Sequence, residues 1–205
     1  MRRALFLLAV LAAVACCSRD GAAPLTRLEK GTITGQGPLM RVLTVDNAGD
    51  SLFLRLPSTD FTDRDLRGKY FRILADKMVA TVTDPSQDGV GIAGPQVGLS
   101  RRIVAVQRFD KEGDPFEVYP NIRIESLGGE VVPGQEGCLS VPGLRGVVPR
   151  YSRVVISYKD IATLRTVRDT VEGFTAVIFQ HETDHLEGIL YTDRATRLNP
   201  VLPAE

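Results

Sequence analysis

Phe174-Thr175-Ala176-Val177-Ile178-Phe179-Gln180-His181-Glu182-Thr183-Asp184-His185-Leu186 holds the only two histidines of the 205-residue chain, and Gly188 follows it as a helix stop. Residues i and i+4 share one helix face, so His181 and His185 can close on one metal ion. Glu182 stands one residue after the first histidine, where its carboxylate can reach a water held by that ion. A divalent ion, two nitrogen ligands and a carboxylate make up most of a hydrolytic site. A solvated helix carrying His, Glu and His by chance is the alternative that a five-residue pattern allows. The apolar flanks Phe174, Val177, Ile178, Phe179 and Leu186 weigh against it, because they describe a buried helix, where unpaired His and Glu are costly.

Upstream, Leu66, Tyr70, Ile73, Leu74, Met78 and Val82 recur at helical spacing over 63–83, interrupted at Gly68 and ended by Asp84-Pro85. A glycine-rich stretch over 89–98 follows, then strands over 102–109 and 116–124. Glycines and prolines punctuate a long irregular region over 128–146 that contains Cys138. Residues 153–159 and 166–171 read as a strand pair. Helix, strands, then helix, with short connections between strands, predicts an α+β fold: mostly antiparallel sheets packed around a central metal-binding helix. Gly89-Val90-Gly91-Ile92-Ala93-Gly94 matches the dinucleotide fingerprint, but that fingerprint needs a strand before it and a helix opening inside it. Asp84-Pro85 precedes these glycines and Pro95 follows. They read instead as backbone passing close to a metal or substrate.

Lys plus Arg (25) equals Asp plus Glu (25), so no net field recruits nucleic acid, and none is expected as a partner. Three cysteines are too few for a disulfide scaffold, and two stand near the N-terminus. There, Arg2-Arg3 precedes an apolar run over 4–15, too short to span a bilayer comfortably, and Ala13-Val14-Ala15 offers an export-peptidase site before Cys16. The expectation is a signal peptide over 1–15, a tether over 16–37 lipidated on Cys16, a catalytic domain over 38–198 and a tail over 199–205. Ala13 stands where a lipobox usually has Leu. The protein is then exported and held by lipid on the outer side of the cytoplasmic membrane.

Gly89-Val90-Gly91-Ile92-Ala93-Gly94-Pro95-Gln96, Glu136-Gly137-Cys138-Leu139-Ser140 and His181-Glu182-Thr183-Asp184-His185 stand in order, and together they resemble the three signature motifs of peptide deformylases. These metallohydrolases remove the formyl group from N-terminal formyl-methionine. The similarity runs from about Met40 to Arg194. On its own residues Cys138 reads as well as a buried small hydrophobe; the resemblance makes it the third metal ligand with His181 and His185, leaving a fourth position open. It implies one divalent ion per chain, Fe2+ with Zn2+ possible, a choice the ligand set alone leaves open.

The resemblance also implies that Glu182 takes a proton from water and passes it to the departing amine. Gln96 and the backbone N–H of Leu139 become donors to the developing oxyanion. Val90 and Gly91 pair with the substrate peptide as an added strand, Val177 and Ile178 line the methionine pocket, and Arg145 meets substrate at its mouth. Arg150 and Asp184 form a pair behind the ligands. Formyl-methionyl peptides or proteins are the expected partners of a monomer. Gly94 replaces the alanine usual in the first motif, and an export signal is foreign to an activity usually found beside the ribosome. Two other readings stand beside this one: a metalloprotease taking a third ligand from Glu187 or Asp193, and a secreted metal-containing peptide-binding lipoprotein without turnover.

Overall fold

The computed structural model describes residues 21–201 apart from position 88. The basic start, the apolar run over 4–15 and Cys16, on which the export reading rests, lie outside the described residues.

Four helices come first: α1 (Arg27–Ile33), α2 (Ala48–Leu54), α3 (Asp63–Arg67) and α4 (Lys69–Val82). Three antiparallel strands follow in the order β1 (Gly91–Ala93), β2 (Ile103–Gln107), β3 (Phe116–Pro120). A second antiparallel sheet is built from β4 (Arg123–Cys138), β5 (Val141–Lys159) and β6 (Thr166–Glu172), with β7 (Arg197–Pro200) beside the first part of β5. Helix α5 (Gly173–Leu186) carries the two histidines. The α+β architecture with antiparallel sheets around that helix is the one the sequence predicts.

Alternation along β2 sets the layers, because successive side chains of a strand leave opposite faces. Ile103 and Ala105 pack in one core with Phe71, Leu74, Met78 and Val82 of α4. Val104 and Val106 pack in another with Ala176, Phe179 and Leu186 of α5 and with Val154, Ile156 and Val171 of the second sheet. A strand buried on both faces reads as a continuous apolar run, and Ile103-Val104-Ala105-Val106 is one. Helix α5 therefore lies between the two sheets, which accounts for the burial of ten of its fourteen residues. It ends as expected at Gly188, whose φ is 71°. The Ile189 N–H donates to the Asp184 carbonyl and the Gly188 N–H to the His185 carbonyl, a left-handed helix stop. A Cβ at Gly188 would lie 2.3 Å from the Arg55 carbonyl oxygen.

The helix expected over 63–83 is broken where Gly68 takes an extended conformation, so α3 ends and α4 begins there. The strand expected over 116–124 is two strands in different sheets. Asn121, at φ 52°, turns the chain between them, and its side chain bonds both backbone groups of Phe61. The region expected to be irregular over 128–146 is a long hairpin instead. Its punctuation falls at the register shifts Gly128/Val131 and Glu136/Cys138, and Pro133 opposes Pro149. Most side chains over 126–135 are exposed, so no apolar alternation marks the strand.

The tether read over 16–37 is folded from Ala23 onward. Ala23 bridges to Phe61, Leu25 and Ile33 enter the core, and Thr26 and Glu29 cap α1 reciprocally. The tail read from 199 is likewise ordered through Pro200, with Arg145 opposite Asn199 and Leu144 opposite Pro200 in the β5–β7 ladder.

Arg101 clamps the N-terminal segment. Its guanidinium donates to the carbonyls of Ala23 (2.5 Å), Pro24 (3.0 Å) and Asp60 (3.1 Å) and pairs with Glu29 (2.5 Å). Burial pushes the Glu29 carboxyl up, but its bonds from Arg101 and Thr26 bring it below the ordinary range. A depressed carboxyl stabilises the fold above its unfolded pKa and loses that contribution as pH falls through the folded value. Arg101→Ala should cost about 3–5 kcal/mol in urea denaturation at neutral pH, with new protease cleavage over 21–37. The difference from the unsubstituted protein should shrink in acid.

Candidate metal centre and its cleft

The hairpin and α5 bring the three expected ligands together: among the described residues, the donor atoms of Cys138, His181 and His185 lie within 4.8 Å of one another. Cys138 Sγ is 3.3 Å from His185 Nε2, and Gln96 Nε2 lies 3.4 Å from the same sulfur. The imidazole centroids are 5.1 Å apart, and Tyr191 stacks on His181. Burial alone would lower His181, yet the Cys138 sulfur and the Glu136 carboxylate carry it well above the ordinary histidine value. His185, buried and facing the His181 charge, is pushed well below it. One sulfur and two ring nitrogens converging in one enclosed site are a donor set for a divalent cation, so the residues fit a metal. The donor set of one thiolate and two imidazoles suits zinc or iron and leaves a coordination position open.

Behind the ligands runs a chain of buried charge. Glu136 accepts from His181 Nδ1 at 2.8 Å and from Arg150 at 2.8 and 3.0 Å. Arg150 also donates to Asp184 at 2.6 Å, and Arg194 grips that carboxylate through two bonds of 2.6 and 2.7 Å. Burial pushes the Glu136 carboxyl up, but the bonds from His181 and Arg150 hold it below the ordinary range, so it is an acceptor at neutral pH. His181 Nδ1 therefore carries the proton, and Nε2 is left as the ligand nitrogen. The expected Arg150–Asp184 pair is present. Sequence reasoning missed the parts played by Glu136 and Arg194, although Glu136 opens the second motif, two residues before Cys138 on the same strand.

Glu182 is buried, with no hydrogen-bond partner on Oε2. Burial pushes its carboxyl up to about 7, with His181 opposing and Glu136 adding to the shift. A Cβ on Gly91 would lie 2.5 Å from Glu182 Oε1 and 2.8 Å from Ile178 Cγ2, so only glycine lets the β1 backbone pass there. Gln96 begins as part of a tight turn after β1: its Oε1 accepts from the Ala93 N–H at 2.8 Å, which fixes the amide so that Nε2 faces Cys138 and Ser140. A strap ahead of α2 ties the two site loops together, with the Leu43 N–H donating to the Gln96 carbonyl and the Val45 N–H to that of Ser140.

These groups open on a cleft of about 430 Å³. Val90, Gly91, Arg145, Val177 and Ile178 all line it, together with Gln96, Leu139, Cys138, His181 and Glu182. A larger hollow of about 1060 Å³ lies across α5, away from the ligands. Its arginines are engaged in ion pairs: Arg55 with Asp193, Arg102 with Glu187, Arg123 with Asp60, and Arg150 and Arg194 with Asp184. Glu187 and Asp193 are thus held by arginines, and the third ligand is not drawn from downstream of the helix as a metalloprotease of this motif would need.

A family model for polypeptide deformylase matches residues 41–201. The chain belongs to that family. It is 39% identical to the peptide deformylase of Halothermothrix orenii over 78% of this chain and 97% of the relative. It is 44% identical to that of Symbiobacterium thermophilum over 63% of this chain, spanning 58% of that relative's length. Among solved structures, the Met-Ala-Ser-bound class I type b peptide deformylase of Acinetobacter baumannii superposes with a TM-score of 0.67 at 34% identity, covering 76% of this chain and 98% of the other. Membership favours a deformylase over a metal-containing peptide binder without turnover.

If Glu136 sets the ligand nitrogen of His181, Glu136→Gln should weaken metal binding by about 10- to 100-fold. Competition with a chromophoric chelator measures this, and an unchanged affinity would detach Glu136 from the centre.

Proposed function

We infer that this deformylase-family chain is a metal-dependent hydrolase that releases formate from the N-terminal formyl-methionine of peptides or proteins. The observation that carries the reading is the convergence of Cys138, His181 and His185 beside the buried Glu182 carboxylate, on a cleft floored by an open strand edge. Cys138, His181 and His185 would hold a divalent ion, Fe2+ by family resemblance, and it would supply Lewis acidity that lowers the pKa of water. Glu182 takes the proton of the attacking water and delivers it to the amine nitrogen that leaves. Gln96 Nε2, aimed by the bond at its own Oε1, donates to the oxygen on which charge develops, and the Leu139 N–H is the second donor. Gly91 and Val90 hold the peptide as an added strand, the methionine side chain lies against Val177 and Ile178, and Arg145 meets the chain at the mouth.

Glu182→Gln keeps the shape of the carboxyl but cannot accept the proton. Its turnover of formyl-Met-Ala-Ser should fall by ~10²–10⁴-fold with metal content unchanged; a loss under about threefold would remove Glu182 from proton transfer. In Gln96→Ala the catalytic constant should fall on the order of 10²–10³-fold.

We further propose that the chain acts as a monomer outside the cytosol, held by lipid on Cys16. The basic start, the short apolar run and Ala13-Val14-Ala15 before Cys16 support this reading. Six residues separate Cys16 from Ala23, where the folded domain begins. The anchor then spans at most about 25 Å, which sets the domain close to the bilayer surface. Mass spectrometry of the mature N-terminus from the native host should find a modified Cys16 in the membrane fraction. An intact Met1 on a cytosolic protein would overturn export.

A further inference from the structure

Equal totals of acid and base hide a local excess of cations. Arg27 and Lys30 of α1, Arg64 and Arg67 of α3, and Lys69 and Arg72 of α4 form no ion pair among the described residues, and all but the half-buried Lys30 are exposed. Most of the described cations outside these helices are in ion pairs. The nearby acids are already engaged: Glu29 by Arg101, Asp63 by Lys159 at 3.7 Å, and Asp65 by Thr62. Residues three apart share a helix face, so Arg64 with Arg67 and Lys69 with Arg72 stand in outward pairs, away from the buried Leu66, Phe71 and Leu74. Asp76, one turn beyond Arg72, marks where this face ends. Lys30 Nζ and Lys69 Nζ lie 5.6 and 5.3 Å from the centroid of one ring, Tyr70, which joins α1 to α4. Two ammonium groups on one ring repel each other, and an anion from outside relieves that repulsion. Among these charges Leu28 is 85% exposed.

The chain enters the domain at the same end. The Ala23 N–H donates to the Asp60 carbonyl, and Ala23 bridges to Phe61, two positions before α3 begins. The other end of α4 abuts the cleft: Gly89 lines it, and a Cβ there would lie 2.8 Å from Val82 Cγ2 and 3.3 Å from Leu139 Cδ1. From Lys69 to Val82 the helix rises ~20 Å. A basic surface with one exposed leucine, beside the point where the chain enters and a helix length from the cleft, has the chemistry of an interfacial contact. Single-stranded RNA is the other polyanion that cations attract, but it is held through free aromatic platforms, and Tyr70 is already engaged by two lysines.

We propose that the face made by α1, α3 and the start of α4 docks on an anionic phospholipid bilayer, with Leu28 entering the headgroup layer and the cations around it meeting lipid phosphates. This goes beyond the anchor on Cys16. A lipid fixes only a distance, whereas a docked face fixes an orientation, here with the cleft on the side away from the bilayer.

The test removes the anchor. The chain from residue 16 onward, with Cys16→Ser and Cys17→Ser, keeps every described residue and is floated with vesicles of phosphatidylglycerol mixed into phosphatidylcholine, or of phosphatidylcholine alone. Binding should appear on the first, be absent on the second and fall as salt rises. Lys69→Gln with Arg72→Gln should weaken it roughly 25-fold, about fivefold per cation, with the melting temperature unchanged. Arg165→Gln with Arg168→Gln, an equal charge loss on the β5–β6 hairpin, should leave it as it was, and Leu28→Ser should weaken it several-fold. Equal binding to both vesicles, binding to neither, or equal losses in the two double variants overturns the proposal. So does capture of an oligouridine RNA where the vesicles are not bound, which would make nucleic acid the partner. An unmodified Cys16 in the native host would remove the anchor and leave this readout standing, so the two readings fail separately.

Discussion

The ion-pair chain from Arg194 through Asp184, Arg150 and Glu136 to His181 is the constraint on which the site depends. It is the electrostatic bond between the two elements that contribute ligands: Glu136 and Cys138 belong to β4, Arg150 to β5, and Asp184 with both histidines to α5. Apolar packing places α5 between two sheets but fixes neither its rotation nor its height to within a coordination bond. Directional charge-assisted bonds do that. Removing any member would leave a charge buried and unpaired, which costs more than the pair itself contributes. The chain thus keeps the ligands registered whether or not an ion lies among them.

The same arrangement separates the tasks of three acidic groups within a few ångströms. Glu136 is bonded by Arg150 and His181 and is held in its charged form, while Asp184 is gripped by Arg150 and Arg194. Glu182, one residue from His181, has only burial around its second oxygen and sits high. Environment, not residue type, divides carboxylates that orient from the one that can exchange a proton.

Much of this was legible in the residues. The i, i+4 histidines, the apolar flanks of α5 and the glycine stop after it are local signals, and all three correspond to features of the helix. The role of Cys138 required the resemblance, because a lone cysteine says little. The hairpin was hidden because pairing there is carried by backbone groups whose side chains face water, while bulges consume the glycines that suggest loop. Helix α1 was hidden because only Ile33 of its residues is buried; yet Thr26-Arg27-Leu28-Glu29 is a capping box, a signal that could have found it. The Arg101 clamp, the strap over 43–45 and the grip of Arg194 join residues far apart in sequence, and no local pattern announces such pairs.

The edge offered by β1 is only three residues long and lies at the bottom of a cleft between α5 and the hairpin. A strand so short and so enclosed is protected from pairing with another protein's sheet. It also refuses any chain that must pass through and continue on both sides, since Gln96 and the ligands close the inner end. What can enter is a loose terminus. A protein that has already tucked its first residues into its own fold is therefore out of reach, and removal of its blocking group becomes a race between capture of the free end and the folding of the chain that bears it.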